Sequence, residues 1–151
     1  MVRMSRISWK DVLAILLIVS IALLLKPALS AVSGTTTPIA VVKGNSMLPL
    51  LREGDIVFLH HVPPQDIAVG EVVVYQSIYG GYIIHRVVSI IQTPTGIFYV
   101  TKGDNNPSDD SLLGQFVDGP GIPYDRIVGV VWSPFNKTFV IPLIGIISIV
   151  I

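Results

Sequence analysis

Cysteine is absent from this sequence of 151 residues, and charged residues make up only 13% of it. The lack of cysteine excludes a thiol nucleophile, a thiolate metal site and a disulfide framework. Soluble domains carry about 25% charged residues, so the low charge argues against a disordered chain and an ordinary cytosolic domain. Three histidines without an HExxH pattern make a zinc hydrolase improbable. We therefore expect no cofactor and no metal site.

The charges that are present cancel overall but are unevenly distributed. Ten basic and ten acidic residues give no net charge. Without a positive field the chain has nothing to attract nucleic acid, and we expect no such partner. Residues 1–29 carry a net charge of +3, whereas residues 30–137 carry −3. The basic excess is thus confined to the N-terminal end.

Residues 12–25 (VLAILLIVSIALLL) form an apolar run that is interrupted only by Ser20. Because the run is apolar on all sides, it should face lipid rather than half of a protein core. A spanning helix needs about 20 residues, and the stretch 7–32 reaches that length if Lys26 extends its amine to the membrane surface. We expect residues 1–33 to form a transmembrane anchor and linker.

The same segment could instead be a cleaved signal peptide, with small residues at 28–31 (ALSA) as the cleavage region. We favour the anchor. In both interpretations Arg3, Arg6 and Lys10 keep the N-terminus in the cytoplasm, and the rest of the chain lies on the extracytoplasmic side.

Residues 34–138 are predicted to form one β-rich domain. After a linker at 33–38 (SGTTTP), β-branched runs alternate with clusters of Gly, Pro, Asn and Asp. This spacing is typical of an antiparallel, mainly β domain. The predicted strands are 39–43, 55–61, 71–76, 82–92, 97–102 and 127–132.

The C-terminal segment 139–151 (FVIPLIGIISIVI) contains no charge. Thirteen residues are short for a membrane span, and Pro142 and Gly145 weaken a helix. A short second membrane segment and a strand followed by a buried tail are both compatible with the pattern. We favour membrane contact, since soluble proteins seldom end in an uncharged apolar tail.

Three polar sites interrupt the apolar background of the β domain. Ser46 follows a predicted strand, His85 lies within one, and the acidic stretch 103–110 (GDNNPSDD) follows another. Taken singly, each has an ordinary structural explanation as a turn serine, a core histidine and an Asn- and Asp-rich turn. Together they supply the nucleophile, general base and orienting carboxylate of a serine hydrolase. Neutral imidazole suits the base, because a serine hydroxyl must lose its proton to attack.

The motifs occur in an order that resembles type I signal peptidases of the archaeal and endoplasmic-reticulum branch. Residues 45–49 (NSMLP), followed by 52–55 (REGD), resemble the serine box of that family. Residues 85–87 (HRV) resemble its general-base box, where the bacterial branch has a lysine in place of His85. Residues 102–106 (KGDNN) with Asp109 and Asp110 resemble the third box, and 125–129 (DRIVG) resemble the stretch that follows it.

The resemblance implies a membrane-bound serine endopeptidase with an antiparallel β catalytic core. Such an enzyme removes N-terminal signal peptides from secreted preproteins at the outer surface of the cell membrane, or at the endoplasmic-reticulum membrane in a eukaryote. It implies Ser46 as nucleophile and His85 as general base, with Asp110 the first choice and Asp104 the second for the third member. Gly44 stands where the bacterial branch has a hydroxyl residue that helps the oxyanion hole.

The implied partners are signal peptides and the lipid membrane; the sequence is compatible with an enzyme acting alone or with other subunits of a translocation machinery. One alternative is a serine–lysine protease that uses Lys43 or Lys102. Another is a non-catalytic, membrane-tethered β domain that scaffolds a complex. A metal site at His60, His61 and Asp55 is disfavoured, because adjacent strand residues point to opposite faces.

Overall fold

A computed structural model describes residues 8–117 and 119–142 of the chain. Arg3 and Arg6, on which the predicted orientation rests, and residues 143–151 of the predicted C-terminal membrane segment lie outside the described residues. The described part consists of one helix, an antiparallel sheet and three short 3₁₀ turns. Their order is α1 (Trp9–Ser33), β1 (Ile39–Val41), β2 (Ile56–His60), a 3₁₀ turn (Pro64–Asp66), β3 (Val72–Gln76), β4 (Tyr82–Thr93), β5 (Gly96–Lys102), β6 (Ile122–Pro123), a 3₁₀ turn (Tyr124–Arg126), β7 (Ile127–Val131), a 3₁₀ turn (Pro134–Asn136) and β8 (Val140–Ile141).

Helix α1 is delimited by local capping interactions at both ends. Ser8 and Asp11 form a capping box, in which the Ser8 N–H donates to Asp11 Oδ2 at 2.8 Å. At the other end Gly34 adopts a left-handed conformation (φ 69°) and its N–H donates to the Ser30 carbonyl. The 25 residues between these caps rise about 38 Å at about 1.5 Å per residue. None of them is buried, and the helix is long and apolar enough to cross a membrane.

The segment after α1 is fastened to the sheet. The Ser33 carbonyl accepts a hydrogen bond from the His61 N–H at 2.7 Å. The Thr35 hydroxyl, which is 7% exposed, donates to the Val128 carbonyl at 2.7 Å. The linker predicted from residue 33 onwards is therefore short and bound, and the end of the helix is held against strands β2 and β7.

The sheet confirms the predicted mainly β, antiparallel fold. Its strand order is β1-β2-β7-β3-β4-β5-β6, and β8 also pairs with β2. All six predicted strands are present, with ends within two residues of the prediction. The two-residue strands β6 and β8 were not predicted. Strand β8 agrees with one of the two alternatives for the C-terminal segment, namely that this segment begins with a strand.

Side chains of neighbouring strands pack in two hydrophobic clusters on the two faces of the sheet. Alternation along a strand sends successive residues to opposite faces, so β3 contributes to both clusters. One cluster comprises Ile67, Val73, Tyr75, Val87, Tyr99, Ile122 and Val130. The other comprises Val42, Met47, Leu51, Val57, Leu59, Val72, Val74 and Val131. The polar residues of the candidate site lie in the turn after β1, within β4 and in the loop after β5.

Candidate active site

His85 and Asp110 form a buried pair. The Nδ1 atom of His85 lies 2.8 Å from both carboxylate oxygens of Asp110. The two side chains are 3% and 0% exposed. Burying a carboxylate is costly unless hydrogen-bond donors replace the lost water. Two further donors do so, because the hydroxyls of Tyr75 and Thr101 donate to Asp110 Oδ2 at 2.7 and 2.6 Å.

The Tyr75 hydroxyl remains protonated in this environment. Burial raises its pKa above the ordinary value, and the hydrogen bond to Asp110 raises it further. Ionised tyrosine would place a second negative charge beside the carboxylate. Tyr75 is therefore a neutral donor to Asp110 throughout the range in which an enzyme would be assayed.

Strand register explains why these groups meet. His85 on β4 lies opposite Val73 on β3, and Tyr75 lies two residues further on that strand. Thr101 on β5 lies opposite Val87, which is two residues beyond His85. Because residues two apart in a strand share a face, the side chains of Tyr75, His85 and Thr101 all lie on one side of the sheet.

Arg86, the next residue along β4, belongs to the opposite face and binds Asp104. Its Nε and Nη2 atoms donate to the two carboxylate oxygens of Asp104 at 2.7 and 2.6 Å. Its Nη1 donates to the Gly70 carbonyl at 2.6 Å. The hydrogen bonds that Arg86 donates to the Asp104 carboxylate raise the pKa of Arg86. The structure thus places Asp110, and not Asp104, against His85.

Ser46 lies in the turn that follows β1, beneath the loop that contains Asp104. Gly44 begins the turn with φ 83°, a backbone conformation that favours glycine, and Met47 anchors it at 1% exposure. The Asn105 N–H donates to the Ser46 carbonyl at 2.8 Å. A Cβ on Gly103 would lie 2.7 Å from that carbonyl oxygen. The close approach of the two loops therefore requires glycine at position 103.

Ser46 and His85 line the same groove, which has a volume of about 330 Å³. Residues 40–43 form one wall and residues 82–84 form the other, with contributions from Val74, Asn106 and Leu113. Asp110 lies behind His85, away from solvent. Three of the four residues selected from the sequence are thus assembled at one site, and Asp104 lies apart from them in its pair with Arg86.

Comparison with known proteins gives the same family as the motifs. Residues 21–98 match the Peptidase S24-like family. The chain is 36% identical to the signal peptidase complex catalytic subunit SEC11 of Tuber melanosporum, over 93% of this chain and 88% of that protein. It is 33% identical to the SEC11C subunit of Homo sapiens, over 84% and 73% of the two chains. It is 35% identical to the sec11 subunit of Penicillium rubens, over 97% and 81%.

The chain belongs to the signal peptidase catalytic-subunit family. It is a serine peptidase. The resemblance found in the sequence motifs is confirmed, and helix α1 fits a membrane anchor.

Two buried polar residues that contact Asp110, Tyr75 and Thr101, were not identified from the sequence. Tyr75 and Thr101 occur in strands whose other buried residues are apolar, so they resemble ordinary core positions. Only the alternation of side chains along the strands could have indicated them, because both lie on the same face as His85 once the strand register is known.

Among the lysines considered as alternative bases, Lys43 lines the groove, and Lys102 lies opposite Arg86 in the register of β5. The residues considered as metal ligands do not form a site. Within residues 8–117 and 119–142, no three His, Asp or Glu side chains are arranged to hold a metal ion. His60, His61 and Asp55 are among these side chains.

Proposed function

We propose that this chain cleaves N-terminal signal peptides from secreted preproteins, with Ser46 as nucleophile, His85 as general base and Asp110 as the residue that orients the base. The observation that carries the proposal is the buried His85–Asp110 pair at a groove that Ser46 also lines. The names of the relatives, which are catalytic subunits of a signal peptidase complex, support the choice of substrate.

The chemistry follows from the hydrogen bond at Nδ1. Asp110 accepts a hydrogen bond from the Nδ1–H of His85 and so fixes the tautomer in which Nε2 carries a lone pair. Nε2 takes the Ser46 proton as Oγ attacks the scissile carbonyl, and the resulting imidazolium is stabilised by the Asp110 carboxylate. That proton then passes to the leaving amine. Water, activated by the same imidazole, hydrolyses the acyl-enzyme and restores Ser46.

The oxyanion that forms during attack needs hydrogen-bond donors. The backbone N–H of Ser46 is our candidate, since a main-chain donor beside the nucleophile is common in such sites. Gly44, two positions earlier, has no side chain to add a second donor. The carbonyl of Ser46 is held by Asn105, which fixes the peptide plane that follows the nucleophile.

The groove suits an extended peptide. Its wall at residues 40–43 includes part of β1, the strand at one end of the sheet order. The opposite wall, at residues 82–84, precedes Arg86, where the pairing of β4 with β5 ends. A substrate strand could add hydrogen bonds to either backbone edge. Val74, Ile84 and Leu113 offer shallow apolar contacts for small residues at the cleavage site and two positions before it.

Helix α1 would hold the catalytic domain at the membrane surface, next to the hydrophobic segment of its substrate. Basic residues near its N-terminus favour the cytoplasmic side for that end, so the sheet would lie outside the cell membrane or in the lumen of the endoplasmic reticulum. Because the relatives are subunits of a complex, we also propose that this chain associates with further subunits.

The proposal is tested by incubating the detergent-solubilised protein with a preprotein and comparing wild type, Ser46→Ala and Ser89→Ala. Ser89 is an exposed serine on β4 and serves as the matched control. Ser46→Ala should lose cleavage by several orders of magnitude, whereas Ser89→Ala should cleave at the wild-type rate. Substantial cleavage by a folded Ser46→Ala variant would contradict the proposal, as would an inert wild type.

The serine–lysine mechanism is the second candidate, because Lys43 lines the groove. Lys43→Met distinguishes the two mechanisms. We expect this variant to retain most activity if His85 is the base. Loss of activity comparable to that of Ser46→Ala, with His85→Ala still active, would favour lysine.

A further inference from the structure

Asp110 accepts hydrogen bonds from two side chains other than His85. Its Oδ2 atom accepts from Tyr75 and Thr101, while Nδ1 of His85 lies 2.8 Å from both carboxylate oxygens. Tyr75, Thr101 and Asp110 are each 0% exposed, and His85 is 3% exposed. Bulk solvent therefore does not reach the carboxylate to replace a donor that is removed.

The ring of Tyr75 is itself held in place by Arg126, which lies in the fourth sequence motif. The Arg126 guanidinium lies 5.7 Å from the centre of the Tyr75 ring. It donates to the Gln76 carbonyl at 3.0 Å and to the Gln115 carbonyl and side-chain oxygen at 2.7 and 2.8 Å. Gln115 in turn donates its N–H to the Asp110 carbonyl at 3.1 Å. Arg126 thus holds both Tyr75, which is the hydrogen-bond donor, and the loop that contains Asp110, which is the acceptor.

We propose that Tyr75 and Thr101 are positioning residues that hold the Asp110 carboxylate in the orientation His85 requires for catalysis. This inference rests on the proposed function. Two hydroxyl donors on one oxygen oppose rotation of the carboxylate and stabilise its negative charge without water. As His85 becomes an imidazolium, the carboxylate then needs no reorganisation to stabilise it.

The expected effect is on the rate of the chemical step and not on substrate binding. Tyr75 and Thr101 face the buried side of Asp110 and are not among the residues that line the groove. A hydrogen bond to a charged group contributes about 1.5–3 kcal/mol, which corresponds to about 10- to 100-fold in rate. Loss of either hydroxyl should therefore lower kcat by that factor and leave KM nearly unchanged.

The first test compares Tyr75→Phe with Tyr99→Phe, using the full chain in detergent and a preprotein substrate. Tyr99 is a matched control because it is also 0% exposed and its hydroxyl donates one hydrogen bond, to the Pro64 carbonyl at 2.6 Å. Tyr75→Phe should lower kcat about 10- to 100-fold, whereas Tyr99→Phe should change kcat by less than about twofold. Equal kcat values for the two variants would overturn the role of Tyr75.

The second test compares Thr101→Val with Thr35→Val, each of which removes one buried hydroxyl donor with little change in volume. Thr35 donates to the Val128 carbonyl at 2.7 Å, where the segment after α1 meets β7, and it does not donate to Asp110. Thr101→Val should lower kcat and Thr101→Ser should restore most of it, while Thr35→Val should affect stability alone. Failure of Thr101→Ser to exceed Thr101→Val would overturn the role of the hydroxyl.

A double variant distinguishes positioning from general loosening of the core. If Tyr75 acts through Asp110, then Tyr75→Phe should add less than about twofold to the loss already caused by Asp110→Asn, because groups that act as a unit are not additive. Full additivity would overturn the inference. The proposed function fails separately, by substantial cleavage in Ser46→Ala, so the two failures are distinguishable.

Discussion

Arg86 and Asp104 are joined by two parallel hydrogen bonds of 2.7 and 2.6 Å, on the face of β4 opposite to His85. This pair connects strand β4 to the loop that packs on the Ser46 carbonyl through Asn105. Its geometry is bidentate, which a lysine cannot reproduce. The carboxylate of Asp104 is therefore bound by Arg86 and does not contact His85.

Arg86→Lys should therefore destabilise the protein slightly and lower activity several-fold, because the loop over Ser46 loses its fixed partner. Ion pairs that are partly exposed contribute about 0.2–1 kcal/mol. Thermal unfolding in detergent and the preprotein assay measure the two effects. Arg52→Lys, in an exposed part of the turn after Ser46, is the control, and equal behaviour of the two variants would remove the role assigned to the pair.

The dependence of cleavage on pH should identify the base. An imidazole acts as a base only when it is neutral, and histidines titrate within about pH 5 to 8. Cleavage should rise through this interval and then level off. Tyr75 adds no alkaline decline, since burial raises its pKa. A profile that rises only above about pH 8.5 would indicate a lysine base, for which Lys43 is the candidate in the groove.

The buried tyrosines predict a loss of stability in alkali. Burial raises the pKa of Tyr99 to about 12 and that of Tyr75 beyond the ordinary range. Above about pH 10 the unfolded chain releases these protons while the folded protein retains them, so the free energy of unfolding should fall as the pH increases. Unfolding midpoints measured between pH 8 and 11 test this trend.

Tyr99→Phe should flatten that alkaline decline, because it removes one group whose protonation differs between the two states. Tyr79→Phe, at a side chain that is 76% exposed, is the control and should leave the slope unchanged. Identical slopes for wild type and Tyr99→Phe would contradict the predicted linkage.

Helix α1 should remain part of the active enzyme as a membrane anchor. Its 25 residues exceed the length needed to cross a bilayer, and tethering raises the local concentration of enzyme beside membrane-bound substrate. Intact-mass measurement of active protein, combined with alkaline extraction of membranes, should give a start near Met1 and an integral membrane protein. A mature start near Ala31 in active enzyme would show instead that the segment is removed.

The strands were largely predictable because their hydrophobic patterns are long and end at Gly, Pro or Asn. Strands β6 and β8 contain two residues each, which is too short for an alternating hydrophobic pattern to be recognised. Their existence depends on pairing with β5 and β2, and so on tertiary structure. The bounds of α1 were less predictable, because the helix continues through Pro27 and ends only at the Gly34 cap.

The residues of the candidate site could largely be selected from the sequence, but the hydrogen bonds between them could not. Ser46 and His85 could be selected from motifs, because each stands in a distinctive local sequence. Asp110 was preferred to Asp104, but only by resemblance to the family's third box, since both follow β5 within one polar loop. The path of that loop and the alternation of β4 determine that Arg86 faces Asp104 and His85 faces Asp110. Tyr75 and Thr101 became recognisable only when strand register placed them on that same face.

The most direct test of the account compares kcat/KM for Asp110→Asn and Asp104→Asn against one preprotein. Asp110→Asn should preserve the fold but favour the wrong tautomer of His85. The equivalent change costs about 10⁴-fold in a well-characterised serine protease. Asp104→Asn weakens only the pair with Arg86, and we expect it to retain activity within about tenfold of wild type. Near-wild-type cleavage by Asp110→Asn, or a larger loss in Asp104→Asn, would contradict the assignment of Ser46, His85 and Asp110 as the catalytic group.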